Sequence, residues 1–330
     1  MSASGSADGD RRNGGRRGGP VRRVRGSMVP EAEFRSYYGR PILKEPVWTW
    51  EIPWYFFTGG LAGASASLGL GARLSGNHRL ARSAWTVAGA GVTAGVPLLV
   101  SDLGRPERFP YMLRMFKVTS PLSVGSWILA ATGPAAAGAA VSDLLGIFPR
   151  LRRVAEAVAG LLGPALATYT GTLVADTAVP VWHEAGRELP FVFAGSAAAS
   201  AGAAAVLSTP AAHAGPARRL AVTGALLELG AAQAMERHLG ELGEPYHQGP
   251  AGRLARLAKA CTATGAGLVA AGGRRRRALA AAGAALVLAG SMCERWAVYK
   301  AGFQSARDPR YIVEPQRARL AEREREQRQP

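Results

Sequence analysis

Long stretches with few or no charged side chains are the feature that most constrains how this chain folds. A membrane-spanning helix needs about 20 mainly apolar residues, whereas an amphipathic helix of a soluble protein shows a polar face at a period of about 3.6 residues. Eight windows fit the first pattern: residues 52–72, 84–101, 121–142, 157–181, 189–209, 220–236, 255–273 and 278–297. The sequence therefore predicts an all-α, polytopic membrane protein with eight transmembrane helices arranged as two four-helix bundles.

The average composition conceals this pattern. The mean hydropathy is only +0.03, because charges are concentrated in both ends and a few short clusters, and because the 42 glycines and many alanines score weakly on hydropathy scales. Small residues are common in transmembrane helices and let neighbouring helices approach closely. We expect three regions: a basic, mostly disordered N-terminal arm (1–50), an eight-helix transmembrane domain (51–297) and a charged C-terminal tail (298–330).

Cysteine and histidine usage restricts the redox groups that this chain itself can hold. Its two cysteines, Cys261 and Cys293, are too few for an iron–sulfur cluster or a structural zinc site. A b-type haem usually takes two histidines on facing helices. The five histidines lie in loops or near span ends, and none faces another at a suitable depth. We therefore expect neither haem nor an iron–sulfur cluster in this chain.

Eight spans place both termini on one side of the membrane, which we call side A; the opposite side is side B. The side B loops are short and hold twelve arginines with only two acids, Asp143 and Glu156. Cytoplasmic loops carry an excess of Lys and Arg, so these loops favour a cytoplasmic side B, whereas the long Arg-rich ends on side A argue the other way. Membrane-flanking arginines also account for the net charge of +17 without any nucleic-acid role.

The acids near or within the spans favour side A. Asp102 ends the second span, and Asp176 lies near the side A end of the fourth. Glu294 lies near the side A end of the eighth span, and Glu228 lies deeper, within the sixth. Because buried charges in a membrane are costly unless paired or functional, the pattern predicts a polar pocket open to side A. Helix caps and interhelical ion pairs are the alternative. For Glu228, a proton path and a hydrogen bond to Gln233 both remain open.

Three segments carry a resemblance to a known family. They are "WTWEIPWYFFTGGLAGAS" (48–65), "SDLGRPERFPYMLRMFKVTSPLSVGSW" (101–127) and "YTGTLVADTAVPVWHEA" (169–185). They stand in the family's order, around its first, second and fourth spans. Over about residues 31–300 the chain resembles the NrfD/PsrC family of polysulfide reductase-like, quinone-reactive integral membrane subunits.

The resemblance implies a haem-free membrane anchor subunit that exchanges electrons and protons between a partner and the membrane quinone pool, menaquinone or ubiquinone. The partner would be a four-cluster iron–sulfur subunit, itself joined to a molybdopterin catalytic subunit. The segment "YYGRPILKEPVWTWEIPWYF" (37–56) is similar to the form associated with formate dehydrogenase-like partners. The resemblance also implies a multi-pass protein of the bacterial cell membrane that is not catalytic without its partners.

Quinone reduction takes up protons together with electrons, so the site needs an acid or a histidine near the quinone oxygens. Asp102, Asp176 and His183 are predicted to relay these protons. Arg105, three residues after Asp102, is predicted to keep that carboxylate ionised, because a neighbouring cation favours the charged form.

The quinone pocket is predicted to contain Trp54, Tyr55, Arg105, Tyr169 and Glu228. Simpler roles remain open for some predicted site residues. Trp54 also fits the aromatic belt at a membrane interface. His183 also fits a helix cap, and Asp102 a brace between a helix and its loop.

Two other functions are compatible with the sequence. A proton- or ion-translocating transport module would suit acids within the membrane and helices interrupted by Gly and Pro. A passive membrane anchor would need no pocket at all. Transporter sites usually lie near the bilayer midplane, whereas the predicted acids cluster near side A, which favours the quinone-reactive interpretation.

Overall fold

The computed structural model describes residues 42–103 and 106–328. Regular secondary structure in these two ranges is entirely helical, which confirms the all-α prediction. The helices are α1 (Glu51–Leu74), α2 (His78–Asp102), α3 (Pro121–Leu145), α4 (Pro149–Ala175), α5 (Pro180–Glu184), α6 (Leu189–Ser208), α7 (Gly215–Leu239), α8 (Gly249–Gly272), α9 (Arg277–Arg307) and α10 (Arg310–Arg328). Short 3-10 helices are Pro106–Leu113, Ala185–Arg187 and Gly240–Tyr246.

The predicted N-terminal arm lies mostly outside the described residues, and only its last part, 42–50, is described. This 42–50 segment contains no helix and leads into α1. At the other end, α9 continues beyond the last predicted span to Arg307 and is followed by α10. The division into arm, transmembrane domain and tail stays a prediction.

Local sequence explains where several helices begin and end. The Asn77 side chain accepts a hydrogen bond from the Leu80 N–H at the start of α2, and Ser120 accepts one from the Ser123 N–H at the start of α3. Both satisfy N–H groups that a helix leaves without partners. α3 ends at Gly146 with a φ of 70°, a backbone conformation that glycine adopts without steric cost.

Within the described ranges, five helices are long and apolar enough to cross a membrane: α2, α3, α4, α6 and α9. The long helices α1, α7 and α8 coincide with the other predicted spans but fall short of this apolarity. α1 is rich in Gly, Ala and Ser, while α7 and α8 carry Arg, Lys and Glu within their length. The arrangement is typical of an integral membrane protein, and the count of eight spans stays a prediction.

The long helices form two groups. Helices α1–α4 pack on one another, α6–α9 do the same, and α1 and α4 contact α6 across the boundary, where α1 also contacts α9. Small residues permit this closeness. A Cβ built on Gly63 of α1 would lie 2.4 Å from the Gly163 carbonyl oxygen of α4, and one on Gly163 would lie 2.3 Å from the Gly63 oxygen. The α1 and α4 backbones therefore touch, as small residues allow in membrane bundles.

A cluster of charged side chains fastens the side B ends of α1, α3 and α4. Arg73 lies 2.5 Å from Asp143 and 2.8 Å from Glu156, and Arg152 lies 2.8 Å from Asp143. The Glu156 and Asp143 side chains are only 3% and 6% exposed. The two acids predicted in side B loops therefore belong to helices, where arginines compensate their charge. This cluster is called the side B ion cluster below.

Candidate functional site

A cavity of about 290 Å³ lies among the side A ends of α1, α2, α3 and α4. Most of its wall is apolar and includes Ile52, Leu99, Leu122 and Leu173. Its polar and aromatic wall residues are Trp48, Tyr55, Phe56, Asp102, Ser126 and Tyr169. An apolar chamber with a few converging polar groups is the usual form of a small-molecule site. We call it the phenol cavity, after its two tyrosines.

The two tyrosine hydroxyls of the phenol cavity meet. The Tyr55 hydroxyl, on α1, is hydrogen-bonded to the Tyr169 hydroxyl, on α4. Tyr55 is 1% exposed. In such a pair one phenol donates to the other, so the second hydroxyl keeps a hydrogen that it can donate to a bound molecule. The pair therefore supplies a hydrogen-bond donor deep in a mainly apolar chamber.

Gly125 of α3 leaves the space that the Tyr169 ring occupies. A Cβ built on Gly125 would lie 2.3 Å from two carbons of that ring, far inside van der Waals contact. Only glycine leaves this space free without displacing the ring. The position of the phenol pair thus depends on a glycine on a third helix.

Asp102 stands at the last position of α2 and is held by the segment that precedes α1. Its Oδ1 accepts hydrogen bonds from the Thr49 backbone N–H at 3.0 Å and from the Thr49 hydroxyl at 2.9 Å. The Thr49 hydroxyl also contacts the Glu51 carboxylate. These contacts fix one Asp102 oxygen at the cavity wall.

The 42–50 segment is itself held by α9. The Tyr299 hydroxyl donates to the Trp48 carbonyl at 2.7 Å, and the Arg307 guanidinium donates two hydrogen bonds of 3.0 Å to Glu45. The Trp48 ring packs against Trp182, with ring centroids 5.5 Å apart, and edge-on against Phe56. One wall of the phenol cavity thus depends on a helix from the other bundle.

A fall in pH is expected to weaken the attachment of the 42–50 segment to α9. The hydrogen bonds from Arg307 hold the pKa of Glu45 below its ordinary value. A lowered folded-state pKa means that the stabilising contribution is complete above the unfolded-state pKa and is lost as the pH falls through the folded-state pKa. We expect hydrogen exchange of the 42–50 amides, corrected for intrinsic rates, to be unchanged from neutral pH to about 5 and to accelerate below about 4.5. Glu45→Gln should remove this pH dependence, and an equal acid response in Glu45→Gln would contradict it.

Asp176 and His183 lie in a different place. Both line a second side A cavity of about 520 Å³, which Leu43, Leu242 and Tyr311 also line. The structure therefore brings Asp176 and His183 to one cavity, which is not the phenol cavity. Asp176 follows Leu173, a wall residue of the phenol cavity, by about one helical turn along the chain.

Two further predicted site residues, Trp54 and Glu228, do not line the phenol cavity. Trp54 is partly buried, and its carbonyl accepts a hydrogen bond from Thr58. Arg105 lies outside the described residues. Glu228 lies inside the second bundle, where Thr262 and Ser291 donate to it.

The structure gives the surroundings of two acids in the second bundle, Glu228 and Glu294. Gln233, one of the two alternatives left open for Glu228, is exposed, and Glu228 accepts its hydrogen bonds from Thr262 and Ser291. Glu294, expected near the side A end of the last span, lies well inside α9 because that helix continues to Arg307.

An aromatic contact joins the phenol cavity to the second bundle. Phe56, a wall residue, packs against Phe193 of α6 with ring centroids 5.7 Å apart. The guanidinium carbon of Arg295, on α9, lies 3.7 Å from the Phe193 ring centroid on the ring's face. Phe193 thus contacts both a cavity wall and a buried cation.

Several wall residues of the phenol cavity were not predicted. Trp48 belongs to the irregular 42–50 segment, Met112 to a 3-10 helix and Ser126 to α3. Of these, Trp48 offered a signal, because it opens the first family-like segment and lies three residues before the Glu51 start of α1. For Met112 and Ser126, the sequence offered no signal beyond their place in the second family-like segment, residues 101–127.

A known protein family matches the part of the sequence that forms this cavity. The family described as polysulphide reductase, NrfD, matches residues 42–240, which contain all of α1–α7. No curated protein matches the chain. The matched range also contains each of the three family-like segments and the whole wall of the phenol cavity. Since the match covers more than half of the sequence, the chain belongs to the polysulphide reductase NrfD family of membrane subunits of oxidoreductase complexes.

Proposed function

We propose that this chain is the haem-free, quinone-reactive membrane subunit of an oxidoreductase complex in a bacterial cell membrane. It exchanges electrons and protons between a partner iron–sulfur subunit and the membrane quinone pool, menaquinone or ubiquinone. A molybdopterin subunit, of the formate dehydrogenase-like kind, completes the complex. The observation that carries the proposal is the phenol cavity, an apolar chamber near side A in which two phenols and one carboxylate converge.

The phenol cavity suits a quinone head group as substrate. Its volume of about 290 Å³ lies at the small end of ligand sites, which fits a ring better than a whole isoprenoid quinone. Its aromatic walls, Trp48 and Phe56, match the faces of a flat ring. The hydrogen that the Tyr55–Tyr169 pair retains can be donated to a quinone carbonyl oxygen, so the pair orients the ring.

Asp102 supplies the proton chemistry in this proposal. A carboxylate at the cavity wall can accept a proton from a quinol hydroxyl, and in its acid form can return one to a quinone oxygen. Thr49 holds Asp102 Oδ1 in place, which keeps the carboxyl group oriented for transfer. Asp176 and His183, in the neighbouring cavity, are proposed to carry protons onward to the aqueous phase of side A.

The electrons are proposed to come from a partner docked on side A. The two cysteines of the chain, Cys261 and Cys293, cannot ligate a cluster of their own. Side A also presents exposed apolar and cationic side chains between Pro106 and α3, among them Met115 at 71% and Val118 at 76% exposed. Exposed apolar groups among cations mark a contact surface for a protein partner or a membrane.

Gly125→Ala tests whether the phenol cavity binds quinone. The new methyl group would occupy the space of the Tyr169 ring and displace the phenol pair. Overpacking typically costs 1–3 kcal/mol, so we expect the KM for a short-tailed quinone to rise by about tenfold or more in the assembled complex. Tyr169→Phe should also raise the KM, because it removes a hydroxyl while leaving the ring.

Gly138→Ala is the matched control, since it makes the same change on α3 at a position with no atom within 4 Å of the new methyl group. Its KM should equal that of the natural protein. If Gly125→Ala assembles normally and binds menaquinone and ubiquinone analogues as tightly as Gly138→Ala, the phenol cavity is not the quinone site.

A further inference from the structure

The second bundle encloses a group of charged side chains that the quinone chemistry does not use. Glu228 of α7 and Glu294 and Arg295 of α9 are 2%, 3% and 1% exposed. None of the three lines the phenol cavity. Glu228 and Arg295 are electrostatic neighbours, as are Glu294 and Arg295. We call these residues the central triad.

Polar groups on three helices hold the triad, but sparsely. Thr262 on α8 and Ser291 on α9 each approach a Glu228 carboxylate oxygen at 3.4 Å. Arg295 Nη2 donates to the Phe193 carbonyl at 2.9 Å. The Nε and Nη1 groups of Arg295 are buried and have no hydrogen-bond partner among the described residues. Its charge is therefore balanced mainly by the two nearby carboxylates and not by a full set of hydrogen bonds.

The other titratable groups around the triad are few. Glu236 of α7 and Lys259 of α8 form an ion pair of 2.6 Å and balance each other. The remaining neighbours are Tyr246, in a 3-10 helix, and the cysteines, Cys261 of α8 and Cys293 of α9. Helix α6 carries no titratable side chain. On α1, the residue beside Arg295 is Gly60, and the nearest titratable residue along that helix is Tyr55.

The charges of the triad do not balance if both acids are ionised. Two carboxylates and one guanidinium leave a net charge of −1 inside the bundle. An uncompensated charge in a membrane interior is unfavourable by several kcal/mol, whereas a proton on either carboxyl group makes the triad neutral. We infer that Glu228, Glu294 and Arg295 form a buried site that stores one exchangeable proton at neutral pH.

The surroundings open this site toward side A. Glu236 and Lys259 are electrostatic neighbours of Glu294, and the Lys259 side chain, at 34% exposed, reaches the surface. The Tyr246 hydroxyl is buried on the same side without a hydrogen-bond partner among the described residues. These groups provide a polar route for a proton between the triad and side A.

The half of the bundle toward side B offers a proton far fewer polar groups. Among the described residues, its buried side chains include Ser200 and Thr209 but no titratable group. Most are small and apolar: Ala199, Ala203, Ala217, Ala221, Ala225, Val269, Ala280, Ala284 and Val287. A site open to one side only stores a proton and does not pass it through the membrane. The inference thus favours a proton store over a transport route, and it does not rest on the quinone proposal.

Infrared spectroscopy of the full-length protein in lipid tests the stored proton. The natural protein at neutral pH should show the carbonyl band of one buried protonated carboxyl group. Glu228→Gln and Glu294→Gln should each abolish the same band completely, because the one remaining carboxylate then stays ionised beside Arg295. Glu156→Gln, a change to a buried acid already paired with Arg73, should leave it intact.

Hydrogen–deuterium exchange of that band tests the direction of access. Glu236→Gln combined with Lys259→Met should slow the exchange several-fold, because it removes the two proton-exchanging groups toward side A. Thr223→Val, an exposed change on the side B half of α7, should not. The one-proton store is overturned if the natural protein shows no such band. It is also overturned if the band survives either Glu228→Gln or Glu294→Gln. Exchange slowed by Thr223→Val alone overturns its opening to side A.

Discussion

Asp102→Asn is expected to lower the quinol-linked turnover of the assembled complex by about 10²–10⁴-fold, the usual contribution of a positioned proton donor or acceptor. Asparagine has the size of aspartate and can still accept the hydrogen bonds from Thr49. The shape of the phenol cavity should therefore persist, and the KM for quinone should change little. A fall in kcat at nearly constant KM is the signature of an interaction that acts only in the chemical step.

The measurement is steady-state turnover with a quinol analogue, at several pH values, in membranes that contain the partner subunits. Glu107→Gln is the matched control, because it neutralises an exposed acid on the 3-10 helix that also supplies Met112 to the cavity wall. The turnover of Asp176→Asn tests whether the second cavity takes part in proton transfer. If neither Asp102→Asn nor Asp176→Asn alters turnover, the proposed placement of the site is wrong.

Arg73→Met is expected to destabilise the fold by about 3 kcal/mol, because it leaves Glu156 and Asp143 buried without their principal cation. This value is at the low end for a buried ion pair, since Arg73 is partly exposed and Arg152 still reaches Asp143. In a thermal unfolding measurement in detergent, the Tm should fall by roughly 5–10 °C. Quinone binding should persist below the Tm, because the side B ion cluster lies at the opposite ends of the helices from the phenol cavity.

Two variants separate the charge effect from loss of packing. Arg79→Met removes an exposed side B arginine and should leave the Tm unchanged. Adding Glu156→Gln to Arg73→Met removes a carboxylate that has lost its partner, so part of the lost stability should return. A Tm for Arg73→Met equal to that of Arg79→Met would show that the cluster does not fasten the helices.

The helices of this protein could be predicted because a membrane leaves the chain little choice. Backbone groups in a bilayer must bond within a helix or a barrel, so each uncharged window became a long helix. The exact ends were less predictable. Residues 298–307 carry both charged and apolar side chains, and only their packing against the 42–50 segment shows why α9 continues through them.

The phenol cavity was predictable in part, for a similar reason. Asp102 was found because an acid that ends a span must lie at a membrane face, and Tyr55 and Tyr169 were found in family-like segments. Trp48 was missed, because its place depends on a hydrogen bond from Tyr299, which is 251 residues away in sequence. No local pattern encodes such a contact.

The position of Glu228 could not be predicted from local sequence either. Its depth in the membrane followed from counting residues, but its neighbours depend on how α7, α8 and α9 pack. Alanine-rich helices have small side chains on every face, so the sequence does not show which face meets which helix. Thr262 and Ser291, which donate to Glu228, look like ordinary small residues until the helices are assembled.

Phe193 contacts both the wall of the phenol cavity and the buried charges of the second bundle. Its ring packs against the cavity wall residue Phe56, and the guanidinium group of Arg295 lies over the ring face. A ligand that displaces Phe56 alters how closely an aromatic ring shields a positive charge, and the strength of that shielding depends on contact geometry. By thermodynamic reciprocity, a ligand that changes the proton affinity of the second bundle must itself bind with an affinity that depends on that bundle's protonation. We therefore expect ligand affinity at the phenol cavity to vary with the protonation of the second bundle.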